Sequence, residues 1–571
     1  MKIEKIDIRK PMVILFMTAL LVFAFWKIRL GVHSDEVYLI ALGDMIAKGD
    51  SFFKECWSSL QMSAVFTAPF IFVYEKITGG REGILLFFRG VAVCVQLGIC
   101  IYFYRTFSEK YQKMYVLIAS ILLFTFIPDF QSFTYKQELL WFATLEIVYS
   151  YKYYLTYKRK YLVLLSIMIA GSVLAYPTAI LQFPVYFCLI YWIHHIKQGR
   201  KNLYSHVYIM TITCLVCMTV FMGVVLSRIS IFEFIAYFPK VFSDNNLEMS
   251  FLSKLLHPLL KFGIMGIVTI VSIAWCEKIK KIPIPIMTCL LCGALLGQMY
   301  IERSGVTWHC ITYSYALTLF MMPLIYVLNE KNEKNRVLIL LFEIPAVTVI
   351  FCIALASNQG NITSMYGTVF SAAGLLLMLS DNEKLKGGGY REKHLIATSL
   401  CAGALSMYLI PVAEQEAVMP GHTARTIFTD RFLASNGPAK GIYLGDATYD
   451  QYIKMCEVVA ENISSDDRVF MIDDAYTTPY GYLASEGEYA TYSPQGGWGL
   501  AESDQAVEYF TDNSKKQPTV VIIRLEYIAC DLHEYLEETP VGNYLRNNSF
   551  YLTCASESYV VMRQENNQPC N

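Results

Sequence analysis

Residues 11–38 read PMVILFMTALLVFAFWKIRLGVHSDEVY, an apolar run of membrane-spanning character that gives way within a few residues to Ser34, Asp35 and Glu36. Lys2, Lys5, Arg9 and Lys10 precede the run like the charged start of a signal peptide, but no small-residue cleavage site follows. The segment is therefore expected to stay as a signal anchor with its N-terminus in the cytoplasm. Asp35 and Glu36 then meet the outer face of the membrane. A charge at that boundary is costly unless it is solvated or paired, so two adjacent acids at the mouth of a helical bundle are candidates for a functional site. The plainer alternative is the polarity that any helix end must acquire.

Working outward from this stretch, apolar runs near the ~20-residue spanning length recur as far as residue 411, which predicts about thirteen spans. Composition agrees: of 571 residues, 55% are hydrophobic and only 17% are charged, too apolar for a conventional soluble protein. With the N-terminus inside, the inner loops hold Arg105, Lys110 and Lys113; Lys158, Arg159 and Lys160; Lys278, Lys280 and Lys281; and Lys384, Lys386, Arg391 and Lys393. This is the basic bias of cytoplasmic loops. An odd number of spans puts the C-terminal region outside. The expected fold class is thus a polytopic α-helical membrane protein, multi-pass in the cell membrane, with a C-terminal extracytoplasmic α/β domain. Residues 1–413 form its transmembrane part and 414–571 its outer domain. A net charge of −1, with no basic stripe beyond the short loops, argues against a nucleic-acid partner.

Two outer segments are long. Residues 31–83 turn from polar to amphipathic, with Val65, Phe66, Phe70, Ile71 and Tyr74 at helical spacing, consistent with helices lying along the interface. Residues 228–257 are similar, mixing Phe232, Phe234, Tyr237 and Phe238 with Lys240, Asp244, Glu248 and Lys254. Beyond about residue 414, β-rich runs at 441–444, 468–473, 519–524, 550–553 and 559–562 alternate with helical patterns near 449–461 and 503–510. Asp466, Asp467, Asp473 and Asp474 flank one of these strands and read as solvated turn residues or as a binding edge. Cys456, Cys530, Cys554 and Cys570 allow one or two disulfides in an oxidising compartment, or free thiols, and their spacing has no zinc pattern.

The outer face gathers chemistry from segments far apart in sequence: His33, Asp35, Glu36 and Tyr38; Asp129, Lys136 and Glu138; Glu302, Arg303, Trp308 and His309. A carboxylate there could deprotonate a hydroxyl, and a cation could stabilise a phosphate as charge develops on it. The N-terminal helix, the Asp35-Glu36 pair with Tyr38 two residues on, the amphipathic outer segment and Arg89 near the start of the second span together resemble the GT-C class of membrane glycosyltransferases. So do the many further spans and the outer domain. Within that class the chain particularly resembles the protein O-mannosyltransferase and aminoarabinose-transferase group.

The resemblance implies a GT-C fold and an enzyme of the cell envelope. Such an enzyme moves a sugar from a polyprenyl-phosphate donor to a lipid, glycan or protein acceptor on the outer side, with inversion. It implies Asp35 as catalytic base, Glu36 as its neighbour or a metal ligand, and Glu138 as a second acid at the start of the fourth span. Tyr38, Arg89, Lys136, Arg303, His309 and Lys240 become candidate substrate contacts; Lys240 could equally anchor its loop to lipid headgroups, and Arg89 could pair with an acid. No cofactor is required, although a divalent metal is possible. The competing expectation is a transporter or flippase of a lipid-linked substrate, for which Glu146 and Glu343 inside spans are the residues to inspect. A membrane anchor displaying a recognition domain is the third.

Overall fold

The computed structural model describes residues 9–32, 34–126, 132–198, 203–242, 252–254, 256, 318–328, 333–356, 365–381, 390–409, 431–475, 477–495, 503–528 and 531–565. Up to residue 409 every regular element described is helical. Helix α1 (Arg9–Lys27) is followed by α2 (Ser34–Lys48) and α3 (Ala64–Thr78), which pack on one another, and then by α4 (Ile84–Phe107). A Cβ at Gly43 of α2 would collide with Thr67 Oγ1 of α3, so this crossing needs glycine. Helices α5 (Lys113–Thr125), α6 (Tyr135–Thr156) and α7 (Arg159–Ala175) follow. The chain then passes through a 3₁₀ turn at Pro177–Leu181 into α8 (Gln182–Gln198), where proline's missing N–H and fixed φ end one helix and start the next.

Helices α9 (Leu203–Leu226) and α10 (Ile231–Phe242) precede α11 (Thr318–Leu328), α12 (Glu333–Ala356), α13 (Thr368–Asp381) and α14 (Tyr390–Leu409). Within α12 the turn Ile339–Glu343 is π-helical. Among the described residues three helices, Ile84–Phe107, Tyr204–Leu226 and Glu333–Ala356, are long and apolar enough to cross a membrane. Others, such as Lys113–Thr125 and Thr368–Ser380, are apolar but shorter. Apolar side chains of α4, α5, α6, α7, α12 and α13 merge into one core, with Phe107 stacked on Tyr151 at 4.4 Å.

From residue 431 the chain is α/β. A small antiparallel pair, β1 (Arg431–Leu433) and β2 (Tyr443–Gly445), leads into α15 (Asp446–Asn462). A five-stranded sheet then forms from β3 (Arg468–Ile472), β4 (Glu488–Tyr489), β5 (Val520–Arg524), β6 (Phe550–Ala555) and β7 (Tyr559–Gln564), in the order β4-β3-β5-β7-β6. Within its parallel part, β4-β3-β5, the central strands β3 and β5 are short apolar runs buried on both faces, as parallel strands require, while the edge strand β4 leaves Glu488 exposed. β7 and β6 add on antiparallel, with a bulge between Leu552 and Cys554. The five strands and two helices that the sequence patterns anticipate lie close to their expected places, whereas β1, β4 and the helices at 478–484, 532–538 and 540–547 are additions. Cys456 and Cys554 are free thiols, and Cys530 and Cys570 lie outside the described residues.

Side chains alternate across this sheet. Phe470, Ile472, Val521 and Ile523 face α17 (Asp504–Asp512), α18 (Leu532–Glu538) and α19 (Pro540–Asn547). Val469, Met471, Val520 and Ile522 face the other way and share a core with Met455 of α15 and Tyr482 of α16 (Thr478–Ala484). Leu42 and Met45 of α2 and Phe52 belong to that same core. The C-terminal sheet therefore buries one face against the segment that carries Asp35 and Glu36.

Candidate functional site

Asp35 and Glu36 occupy the first turn of α2, where carboxylates are favoured by the unpaired N–H groups of the helix start. Successive helical residues point about 100° apart, and this pair ends in two different surroundings. Glu36 turns inward and is fully buried. Both its oxygens meet the guanidinium of Arg89 from α4, Nε to Oε1 at 2.7 Å and Nη2 to Oε2 at 2.6 Å. Arg89 is also fully buried, and its Nη1 donates to the carbonyls of Ile28 and Leu30 at 2.8 and 3.3 Å. One arginine thus clamps Glu36 and the turn between α1 and α2. A fork-on-fork pair of this kind fixes direction as well as distance.

The same turn is held from outside by β2. Gly31 N donates to Tyr443 O at 2.9 Å, and Tyr443 N donates to Arg29 O at 2.7 Å. Asp35 points the other way and keeps 19% side-chain exposure. Its Oδ2 accepts from Tyr135 Oη at 2.8 Å and from Lys136 Nζ at 3.0 Å. Both donors come from the first turn of α6, which Thr134 caps by accepting from Gln137 N at 3.2 Å. The Tyr135 ring stacks on Tyr176 at 5.6 Å. Asp35 therefore lies at an accessible edge beside a phenol and an ammonium, set there by a backbone pinned on both sides.

Glu138 also lies in the first turn of α6. It is 1% exposed, and among the described residues neither carboxylate oxygen has a hydrogen-bond partner. Beside it a polar chain joins three helices: Gln137 Nε2 donates to Gln96 Oε1 at 2.7 Å, Trp141 Nε1 donates to the same oxygen, and Gln96 Nε2 donates to Leu123 O at 2.6 Å. Deeper still, Glu146 Oε1 accepts from Ser172 at 2.6 Å, and Glu343 ends the π turn of α12.

Of the residues anticipated as a site, Asp35, Glu36, Arg89 and Lys136 come together around the start of α2. Tyr38 faces elsewhere: it is buried, and its hydroxyl shares a hydrogen bond with Ser58 Oγ at 2.5 Å. Lys240 stands apart on α10, bonded to Glu508 at 2.9 Å and Asp512 at 2.5 Å in the C-terminal domain. Arg303 and His309 lie outside the described residues, as do His33 and Asp129. Among the described residues no group of three or more His, Cys, Asp or Glu side chains could hold a metal ion. A cation at Glu36 would have to displace Arg89 from both carboxylate oxygens. The residues present do not fit a metal there.

Sequence reading did not anticipate the polar contacts between α2 and the C-terminal domain. Asp44 accepts from Arg81 Nε at 2.6 Å and from Tyr489 Oη at 2.5 Å, while Lys48 donates to Gly487 O at 2.6 Å. Asp50 pairs with Lys516 at 2.5 Å. Burial pushes the Asp50 carboxyl up to about 6 despite Lys516, and pushes Lys48 down to about 8 despite Asp44. Apart from Arg81, the partners are 439 to 466 positions apart, so no local pattern could have revealed them.

No protein-family model matches the chain, and no curated protein sequence matches it at a significant level. The anticipated likeness to GT-C glycosyltransferases does extend to solved structures. The aminoarabinose transferase ArnT from Cupriavidus metallidurans in the apo state is 11% identical, with 98% of each chain covered and a TM-score of 0.46. The Archaeoglobus fulgidus oligosaccharyltransferase, in complex with Zn and sulfate, is 11% identical over 96% of this chain and 74% of its own, with a TM-score of 0.48. The same ArnT bound to undecaprenyl phosphate is 12% identical, covering 97% of this chain and 98% of its own, with a TM-score of 0.43. At these values the likenesses assign no substrate and no residue role.

Proposed function

We propose that this chain is an integral-membrane glycosyltransferase that moves a sugar from a polyprenyl-phosphate carrier to an acceptor hydroxyl or amide on the extracytoplasmic side, with inversion at the anomeric carbon. About thirteen spans would carry it, with the N-terminus in the cytoplasm and residues 414–571 outside. In the step envisaged, the Asp35 carboxylate takes the acceptor's proton as the acceptor atom bonds to the anomeric carbon. The bond from that carbon to the phosphate oxygen breaks, and its electron pair leaves with the polyprenyl phosphate. Lys136, freed from Asp35, meets the charge gathering on that phosphate.

The supporting observation is the division of labour within the acid pair. Arg89 holds both oxygens of buried Glu36, whereas Asp35 stays at an accessible edge beside Tyr135 and Lys136. On this reading Glu36 and Arg89 are positioning residues, and Glu138 is a second, buried acid behind the site.

Purified protein in lipid vesicles, supplied with a panel of radiolabelled polyprenyl-phosphate sugars and a mixture of lipid, glycan and peptide acceptors, tests this. Label should appear on an acceptor with its anomeric configuration inverted. Movement of the intact labelled lipid between leaflets without transfer would instead establish a flippase, the reading to which Glu146 and Glu343 inside the bundle belong.

A further inference from the structure

Helix α10 is amphipathic in the reverse sense to a water-facing helix. At 3.6 residues per turn, Ile231, Phe232, Ile235, Ala236, Phe238 and Pro239 fall on one arc, and Glu233, Phe234, Tyr237, Lys240 and Val241 on the other. The first arc is the exposed one: Phe232 is 81% exposed, Ile235 61%, Ile231 46% and Phe238 43%. It carries no charge. Both charged residues of the helix sit on the arc that faces protein.

Those charges are consumed there. Lys54 Nζ donates to Glu233 Oε1 at 2.7 Å, and Lys240 bonds to Glu508 and Asp512 of α17. Lys240 also lies 4.7 Å over the ring of Trp57, which stacks between Tyr237 at 6.1 Å and Tyr492 at 5.4 Å. Phe53 packs on Phe234 at 4.9 Å. The start of α10 is fixed by a reciprocal cap: Glu233 N donates to Ser230 Oγ at 3.2 Å, and Ser230 N donates to Glu233 Oε2 at 2.8 Å. Arg228 donates to Asp50 O at 2.9 Å. One arc of α10 is therefore bound to the first outer segment and to the C-terminal domain.

The uncharged arc continues another exposed surface. Only four residues separate α10 from α9, whose long apolar helix exposes Leu215, Val216, Val220 and Val224. A helix with that exposure over a spanning length faces acyl chains, and a short link sets the next helix at the end of the span. A helix of high moment with its apolar face outward at that level lies in the interface, its apolar side chains about 5–10 Å into the headgroup and acyl boundary.

We propose that α10 is a bracket seated in the outer leaflet: its Ile231, Phe232, Ile235 and Phe238 face enters the lipid, and its opposite face, through Lys240 and Tyr237, holds the C-terminal α/β domain down on the membrane surface. This rests on the membrane placement given under Proposed function, and adds that the outer domain has a lipid-fixed orientation. The partner is the bilayer itself, recognised by apolar burial, not by a headgroup.

The test uses the full-length protein in phosphatidylcholine nanodiscs, with 4-fluorophenylalanine placed singly at 232, at 234 and, replacing valine, at 220. Fluorine relaxation is read against a doxyl-labelled lipid and a water-soluble gadolinium chelate. Position 232 is expected to relax several-fold faster than 234 with the doxyl lipid and to be shielded from the chelate, like 220. If the chelate relaxes 232 while 220 stays in lipid, the bracket is wrong and the membrane placement survives. If the chelate reaches 220 as well, the placement itself fails. Protection of 232 from both agents would mean protein covers it, which also overturns the proposal.

A second measurement separates lipid contact from bracing. In Phe232→Asp/Ile235→Asp, hydrogen exchange across α17 should accelerate roughly tenfold while α4 amides keep their protection. Unchanged exchange in α17 after α10 has left the lipid would show that the helix holds nothing down.

Discussion

The start of α2 and the carboxyl end of β3 present the same two-residue pattern, adjacent acids beside one arginine, and put it to opposite use. At β3, Arg524 Nη1 reaches both acids, Asp473 at 3.2 Å and Asp474 at 2.7 Å. Tyr559 donates to Asp473 Oδ2 at 2.9 Å, and Thr477 N donates to Asp474 Oδ1 at 2.8 Å. These contacts are internal to the domain and hold strand ends together. At α2, Arg89 clamps both oxygens of Glu36, and Asp35 meets a phenol and an ammonium on another helix at an accessible edge. An acid pair serves as structure when one cation satisfies both members. It becomes a candidate for chemistry when the pair is split.

Of the substitutions that would undo this contrast, those at the clamp act most strongly. Arg89→Ala strands Glu36 in a dry core, which costs about 3–5 kcal/mol for a broken buried pair. Thermal unfolding of the detergent-solubilised protein should show a large fall in midpoint. Little change would mean that Glu36 is not held as described. Removing both charges, as Glu36→Leu with Arg89→Met, should recover much of that loss, because two apolar side chains leave no orphaned ion.

Next in size is Lys136→Met, expected to slow sugar transfer by roughly 10–100-fold with the unfolding midpoint almost unmoved, since it removes charge stabilisation at the reacting phosphate. A matching loss of stability would assign Lys136 to structure, like Arg524. Tyr135→Phe should cost less, roughly the 0.5–1.5 kcal/mol of one hydrogen bond. Single-turnover rates resolve a change of that size.

At the structural pair the expected effect is a pH slope. Burial, with Asp474 adding to it, pushes Asp473 up to about 7 against the pull of Arg524. The unfolded carboxyl titrates near 3.9. The unfolded state therefore loses its proton first as pH rises, and stability that is complete below about pH 4 declines through about pH 7. Asp473→Asn should flatten that part of the unfolding midpoint between pH 4.5 and 7.5 and leave transfer unchanged. Altered transfer would bring the C-terminal edge into the site.

Much of this could be read from residue order because its physics is local. The strands at 468–472 and 520–524 are short apolar runs between turn residues, and the helices at 446–462 and 504–512 carry their own periodicity. Asp35 and Glu36 stood out because acids at a membrane boundary must be solvated or paired. Their division could not be read, since it depends on which of two cations, 53 and 101 positions away, each side chain meets. Lys240 was harder still: it looked like a ligand for phosphate or lipid, while its acids, Glu508 and Asp512, are 268 and 272 positions downstream. The seam between α2 and the C-terminal sheet escaped for the same reason. Asp44 and Tyr489 carry no mark of each other until the chain has folded.

In the proposed transfer Asp35, and not its clamped neighbour, takes the proton. Asp35→Asn keeps size and hydrogen bonding but removes the basic oxygen. With the variant reconstituted at wild-type yield and orientation, single-turnover transfer from a polyprenyl-phosphate sugar should fall by about 10²–10⁴-fold with donor binding retained. Transfer at the wild-type rate by that correctly inserted variant would contradict the account.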